Sequence, residues 1–206
     1  MLEQFLEKTE FKDYKDFFEN YKIKVPENFN FGYDVVDYLA EHNPDAKAMI
    51  WCNDNGEELT LTFKQVKERS DRAAAFMMKQ GIKRGDFVML ILQRRYEFWI
   101  TIVALHKIGA SVIPATHMLT TEDIVYRCNA AGIKHVFAVH DREIFNYIEE
   151  AQKEAPSLKN LIGVAPFGID QSLDDDFLAA HPKWQDFTRG VASVTEEDLA
   201  KFHSLK

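Results

Sequence analysis

Residues 87–114 read FVMLILQRRYEFWITIVALHKIGASVIP. An apolar run, Phe87–Leu92, is followed by a helical pattern from Tyr96 to Ile108 and a second apolar run, Ser111–Pro114. Strand, helix and strand at this spacing predict a right-handed crossover between parallel strands. The helix is apolar nearly all round, so deep burial is expected for it. Two more apolar runs follow, His135–Val139 and Leu161–Val164, with amphipathic segments between them. The predicted fold class is α/β: three layers, with a mostly parallel sheet between flanking helices and a short β-hairpin nearer the N-terminus.

That hairpin is read from Ala46–Cys52 and Leu59–Thr62, which flank the turn residues Asn53-Asp54-Asn55-Gly56. Thr62 with Gln65, Thr120 with Asp123 and Thr195 with Asp198 have capping-box spacing, and Gly81 and Gly132 stop the first two of these helices. A further helix starts at Asn30 or Gly32 and ends at Asn43-Pro44, and Asp141 caps another. Residues 1–22 are amphipathic, with Phe5, Tyr14, Phe17, Phe18 and Tyr21 on one face, and are expected to pack as one or two short helices on the main body. Between Pro166 and Arg189 periodicity weakens. There Asp174-Asp175-Asp176 reads as a solvated helix start, because no EF-hand glycine follows it.

The 206 residues carry a net charge of −8 and no basic stripe, which argues against nucleic acid as a partner. Sixteen phenylalanines at periodic positions read as core. Cys52 and Cys128 lie in no metal or redox spacing and read as small buried hydrophobes in a reducing compartment. No apolar run approaches the ~20 residues of a membrane span. The charged N-terminus lacks the composition of a signal or transit peptide, so the expected location is cytoplasmic.

A parallel sheet offers its ligand site at the carboxyl ends of its strands. No glycine-rich loop, nucleophile elbow or acidic pair follows any strand here, so no catalytic residue and no metal ligand is assigned. What the strand ends do carry is Arg94-Arg95, read as an anion-facing or interdomain surface, the loop Pro114–Met118, and His140-Asp141-Arg142. His140 beside Asp141 resembles a catalytic dyad only in sequence, since no nucleophile is positioned for it. Tyr126 is expected to pack and Arg127 to pair with a carboxylate. His42, His106, His135, His181 and His203 have no metal-ligand spacing.

Several segments together resemble one family. They are VPENFNFGYDVVD at 25–37, Leu61-Thr62-Phe63 leading to Ser70-Asp71-Arg72-Ala73-Ala74, GIKRGD at 81–86, LHKIGASVIPATHMLTTEDIVYR at 105–127, Ala155–Leu158 and Trp184–Phe187. In this order they resemble the AMP-forming acyl-CoA synthetases of the adenylate-forming superfamily, in the medium-chain and acetyl-CoA synthetase-like branch. The resemblance runs from about residue 12. It implies a ligase that couples a small-molecule carboxylate to CoA through an acyl-adenylate, using ATP, CoA and Mg²⁺. It also implies a domain division, with a helical extension over 1–24 and an α/β N-terminal subdomain over 25–206.

The phosphate loop, adenosine site and catalytic lysine of such enzymes would fall beyond Lys206. The chain is therefore expected to be truncated, to catalyse nothing alone and to hold no cofactor alone. Its partner would be the remainder of its own polypeptide, and self-association through the uncovered face is expected. The resemblance further makes Thr116, His117 and Met118 CoA-proximal. In medium-chain members a glutamine aligned with Met118 approaches CoA, and methionine can offer there only an apolar or backbone contact. His117 would meet a CoA phosphate, and Arg142 lies in the region of the family's CoA-phosphate arginine. The alternative reading is a free-standing, non-catalytic α/β binding module. Its receiver-domain form fails because the strand Phe87–Leu92 ends in Gln93-Arg94-Arg95 and not in acids.

Overall fold

The computed structural model describes residues 2–140 and 142–205, apart from the Arg142 side chain. Asp141, the expected helix cap, lies outside the described residues. The chain divides into two compact units, 1–30 and 31–206.

The first unit holds a 3₁₀ turn, Leu2–Gln4, and a single α-helix, α1 (Tyr14–Asn20). Asp13 caps α1 by accepting from the Asp16 N–H at 2.8 Å, and an antiparallel bridge joins Leu6 to Ile23. The apolar face expected over 1–22 forms only in part. Phe17 meets Phe11 edge-on at 5.2 Å and Tyr21 at 4.8 Å, while Tyr14 and Phe18 stay exposed. A seven-residue helix is too short to bury a continuous stripe.

The second unit opens with a π-helical turn, Phe31–Asp37, that runs into α2 (Tyr38–His42). β1 (Lys47–Cys52) and β2 (Glu58–Thr62) form the expected antiparallel hairpin, turned at Gly56 with φ +79°. Thr62 caps α3 (Phe63–Lys79), and the Gln65 side chain accepts in return from the Thr62 N–H at 2.9 Å.

Strands and helices then alternate: β3 (Phe87–Ile91), α4 (Glu97–Ile108), β4 (Ser111–Pro114), α5 (Thr121–Ala131), β5 (His135–Val139), α6 (Arg142–Ala151) and β6 (Asn160–Val164). After them come α7 (Asp175–Ala180), β7 (Trp184–Asp186), α8 (Phe187–Ala192) and α9 (Glu196–His203). The five strands β4-β3-β5-β6-β7 lie in that order, all parallel. β7 adds a strand that the sequence reading lacks. Its three residues are too few to show alternation, and only their pairing with Leu161, Ile162 and Gly163 of β6 defines it. Asp174 caps α7, in keeping with the solvated helix start expected there.

The sheet is covered on both faces, which is why its strands read as unbroken apolar runs. In β3, Val88 and Leu90 enter the core beneath α3 and α4, while Met89 and Ile91 enter the one beneath α5 and α6. α4 is deeply buried as expected, apart from the exposed Trp99. Tyr126 departs from expectation at 71% exposed, because it lies on the outer face of α5 while Ile124 and Cys128 point inward. Arg127 pairs with Asp123 at 3.7 Å. Among the described residues no helix is long and apolar enough to cross a membrane.

The two cysteines differ. Cys128 is buried and burial pushes its thiol up to about 11, whereas Cys52, at the end of an edge strand, is exposed and corrects the reading of both as buried. Ellman's reagent is expected to titrate one thiol per native chain and two in denaturant. Two reactive thiols in the native chain would show that the core around Cys128 opens.

One ionic cluster lies inside this unit. The Lys107 side chain is fully buried, with Nζ 2.6 Å from Asp37 Oδ1, 2.6 Å from Asp71 Oδ1 and 3.0 Å from Ser70 Oγ. Lys67 and His203 reach the other Asp71 oxygen at 2.7 and 3.3 Å. Burial, then Asp37 and Asp71, push the nearby Tyr33 hydroxyl up to about 12.

Candidate functional site

The strand order sends the connection leaving β3 to one side of the sheet and the connection leaving β5 to the other. Ligands of open parallel sheets bind at such a switch point, outside the carboxyl ends of the strands. A cleft of ≈ 460 Å³ opens there. It is lined by Arg94 after β3, His117 after β4, Pro166 and Phe167 after β6, and Asn53 and Asn55 of the β1–β2 turn.

The walls are fixed by hydrogen bonds. Asn53 Oδ1 accepts from the N–H groups of Asn55 and Glu57 at 3.1 and 3.0 Å, which folds the hairpin turn over the cleft. Trp51 Nε1 donates to the Arg94 carbonyl at 2.7 Å and pins the hairpin to the end of β3. Gln93 turns the chain there with φ +49°, a left-handed conformation that costs a non-glycine residue about 1–2 kcal/mol. Strain of this kind gathers where a site must be held open.

Arg95 borders the cleft but its side chain is almost wholly buried, which corrects its reading as a surface charge. Its guanidinium is buried and forks onto Glu97, with Nη2–Oε1 2.7 Å and Nε–Oε2 3.0 Å. Nη2 also donates to the Gly168 carbonyl at 2.7 Å, and the guanidinium lies 5.2 Å from the Trp51 ring and 5.3 Å from the Tyr96 ring. Arg95 therefore joins the end of β3 to the loop after β6. Burial pushes the Glu97 carboxyl above the usual carboxylate range, against the pull of Arg95. A second clamp holds the same loop at Asp170, itself left-handed with φ +54°. Arg69 donates to both its oxygens at 2.6 and 2.9 Å, and the Tyr96 hydroxyl donates to Oδ1 at 2.9 Å. The Arg69 guanidinium holds the Asp170 carboxyl below its usual range.

Of the residues singled out from sequence, Arg94, Arg95 and His117 line this cleft, Arg95 with its charge turned inward onto Glu97. Thr116 lies in the adjoining turn, where its Oγ1 accepts from the Met118 N–H at 3.3 Å, and Met118 is 75% exposed. The Arg142 side chain lies outside the described residues. His140 belongs elsewhere, 4.1 Å from Phe177 in a separate cleft of ≈ 440 Å³ beside His181. Asn53, Asn55 and the 165–170 loop carried no sequence signal of a site, because a hairpin turn and an aperiodic loop look alike whether or not they line a cleft. Arg94 and His117 are the cationic or ionisable groups an anion could meet in the cleft, Asp54 also lines it, and among the described residues no hydrogen bond pairs its thiol, Cys52, with His117.

Comparison with known proteins was made against this geometry. The family model described as "AMP-binding enzyme" matches residues 36–202. The chain is 34% identical to the mitochondrial acyl-coenzyme A synthetase ACSM5 of Rattus norvegicus over 150 residues, which is 70% of this chain and 26% of that protein. It is 33% identical to the mitochondrial acyl-coenzyme A synthetase ACSM4 of Mus musculus over 179 residues, 84% of this chain and 28% of that protein. Over 127 residues it is 35% identical to the mitochondrial acyl-coenzyme A synthetase ACSM3 of Homo sapiens, 59% of this chain and 22% of that protein. The chain thus spans about a quarter of the length of these relatives. Their shared mitochondrial designation overturns the cytoplasmic expectation, which rested on N-terminal composition, the cysteines and the lack of a membrane-length apolar run.

Proposed function

This chain belongs to the AMP-binding enzyme family, and from that premise we propose that it forms the N-terminal subdomain, residues 25–206, of a mitochondrial acid–thiol ligase. The reaction would be carboxylate, ATP and CoA to acyl-CoA, AMP and pyrophosphate through an acyl-adenylate. The observation that carries this reading is the family match across 36–202, on a sheet whose switch-point cleft gathers Arg94 and His117.

In this reading the chain supplies part of the wall of a CoA site. His117 and Arg94 would meet an anionic group of the cofactor, while Thr116 and Met118 shape the adjoining turn. Arg142 is proposed as a further phosphate contact. ATP, CoA and Mg²⁺ would serve the whole enzyme. Among the described residues no group of three His, Cys, Asp or Glu side chains could hold a metal ion, so no step is assigned to Mg²⁺ on this chain.

The test compares the protein encoded by the complete open reading frame with the 206-residue chain, each given octanoate, ATP and CoA. AMP and thioester are expected from the first and neither from the second. No AMP release from the complete protein with any carboxylate would sink the ligase reading, and thioester made by the chain alone would sink the fragment reading. The remainder of the polypeptide would cover apolar groups now exposed, among them Ile50, Met118 and Phe167. The isolated chain is therefore expected to self-associate, and a constant monomer mass in light scattering across a wide concentration range would count against this.

A further inference from the structure

A second cavity, of ≈ 520 Å³, lies at the opposite edge of the sheet, near the amino ends of the strands. Its apolar lining comes from Met78 in α3, Ile82 in the following turn, Ile108 at the end of α4, Phe202 in α9 and Leu205 just beyond. Ile82 and Phe202 are buried and form a fixed floor, whereas Leu205 is exposed at the rim. Among the described residues the ionic groups of the lining are Lys83, Arg84 and Lys107, and none is acidic. The Lys107 ammonium is already held by Asp37 and Asp71, so Lys83 and Arg84 set the field at the mouth. Both are exposed, and neither side chain enters an ion pair among the described residues.

Two features make this more than a dent between helices. Gly109 stands at φ +80°, and a Cβ there would lie 3.1 Å from Arg84 Cγ, so the absent side chain lets the arginine stem lie along the turn. The whole chain carries a charge of −8, and an apolar cavity with only positive ionic lining runs against that background. Its complement is an anion with an apolar tail.

We propose that this cavity binds a single-chain anionic amphiphile, with the tail against Ile82, Ile108 and Phe202 and the headgroup at Lys83 and Arg84. The proposal rests on the lining of this cavity and stands apart from the ligase reading, since the cavity shares no residue with the switch-point cleft. Alkyl carboxylates and alkyl sulfates present the shared chemistry.

Isothermal titration of the 206-residue chain with decanoate, decyl sulfate and decanol tests it. Saturable binding of one molecule of either anion per chain is expected, with decanol at least about tenfold weaker. Each added methylene from octanoate to decanoate should tighten binding about fourfold. Arg84→Glu should weaken decanoate at least about tenfold and leave decanol unchanged. Ile108→Trp should fill the cavity and abolish both. If that variant fails to fold by circular dichroism, Arg84→Glu and Lys83→Glu, at exposed positions, carry the test.

Absence of saturable binding below the critical micelle concentration overturns the proposal. So does decyltrimethylammonium binding as tightly as decanoate, or Arg94→Ala weakening decanoate while Arg84→Glu does not. A dimer dispersed by Arg84→Glu and indifferent to decanoate would assign the cavity to a second copy of the chain, and would overturn it equally.

Discussion

Replacing Arg95 by methionine is expected to lower the unfolding free energy of this chain by about 3–5 kcal/mol, read as a shift of the midpoint in urea unfolding. The size follows from what is left behind. Glu97 keeps its place at 2% exposure with its only salt-bridge partner among the described residues gone, and an unpaired buried carboxylate is far costlier than the pair was favourable. The Gly168 carbonyl loses its donor in the same step, and the Trp51 and Tyr96 rings lose the cation between them. Arg95→Lys should recover only part of the loss, because an ammonium cannot fork onto both Glu97 oxygens and reach a carbonyl as well. The double variant Arg95→Met, Glu97→Gln should be clearly more stable than Arg95→Met alone. If the single variant unfolds within about 1 kcal/mol of the parent, Arg95 is not the tie between β3 and the β6 loop.

The same residue shows where sequence reading stops. The parallel sheet was legible from Phe87–Leu92, Ser111–Pro114, His135–Val139 and Leu161–Val164 because burial on both faces leaves an unbroken apolar run. Capping boxes at Thr62, Thr120 and Thr195 were legible because both halves lie within four residues of chain. Arg94-Arg95 was legible only as a pair of charges at a strand end. One is exposed in the cleft and its neighbour is buried, and what separates them is the carbonyl of Gly168 and the ring of Trp51, far away in sequence.

β7 was missed for the same reason, its three residues being a strand only through β6. The cleft was half legible. The rule that ligands sit at the carboxyl ends of parallel strands pointed toward it, and His117 and Arg94 were singled out, but the hairpin turn that closes it carries no local mark of that role. Exposure of Tyr126 and Cys52 was missed because periodicity gives a face and not what covers it.

The segments that carried the family resemblance meet physically in the Lys107 cluster. Asp37 closes the first of them, Ser70 and Asp71 belong to the second, and Lys107 lies in the fourth, drawing the π-helical turn, α3 and α4 onto one ammonium. Lys107→Met is therefore expected to cost about 3–5 kcal/mol of stability at neutral pH, comparable with Arg95→Met.

Its pH dependence separates it from a simple packing defect. Burial works to raise the Asp71 carboxyl, but Lys107 and Lys67 outweigh it and hold that group below its usual range. A carboxyl depressed in the folded state stabilises above its unfolded value of about 3.9, and that contribution is lost as pH falls through the lower folded value. The contribution of Asp71 to the parent should accordingly be lost only below about pH 4. Without Lys107 the burial of Asp71 is opposed by Lys67 and, when protonated, His203, and its carboxyl rises. A group raised in the folded state loses stability as pH climbs above its unfolded value.

The deficit of Lys107→Met should therefore be smallest near pH 4 and grow toward neutrality. Adding Asp37→Asn and Asp71→Asn should return a large part of it, by removing two buried charges that would otherwise share Lys67. Urea unfolding of parent, single and triple variants at pH 4.5 and 7.5 makes the comparison. A deficit equal at both values and untouched by the two asparagines would mean that Lys107 contributes volume and not charge.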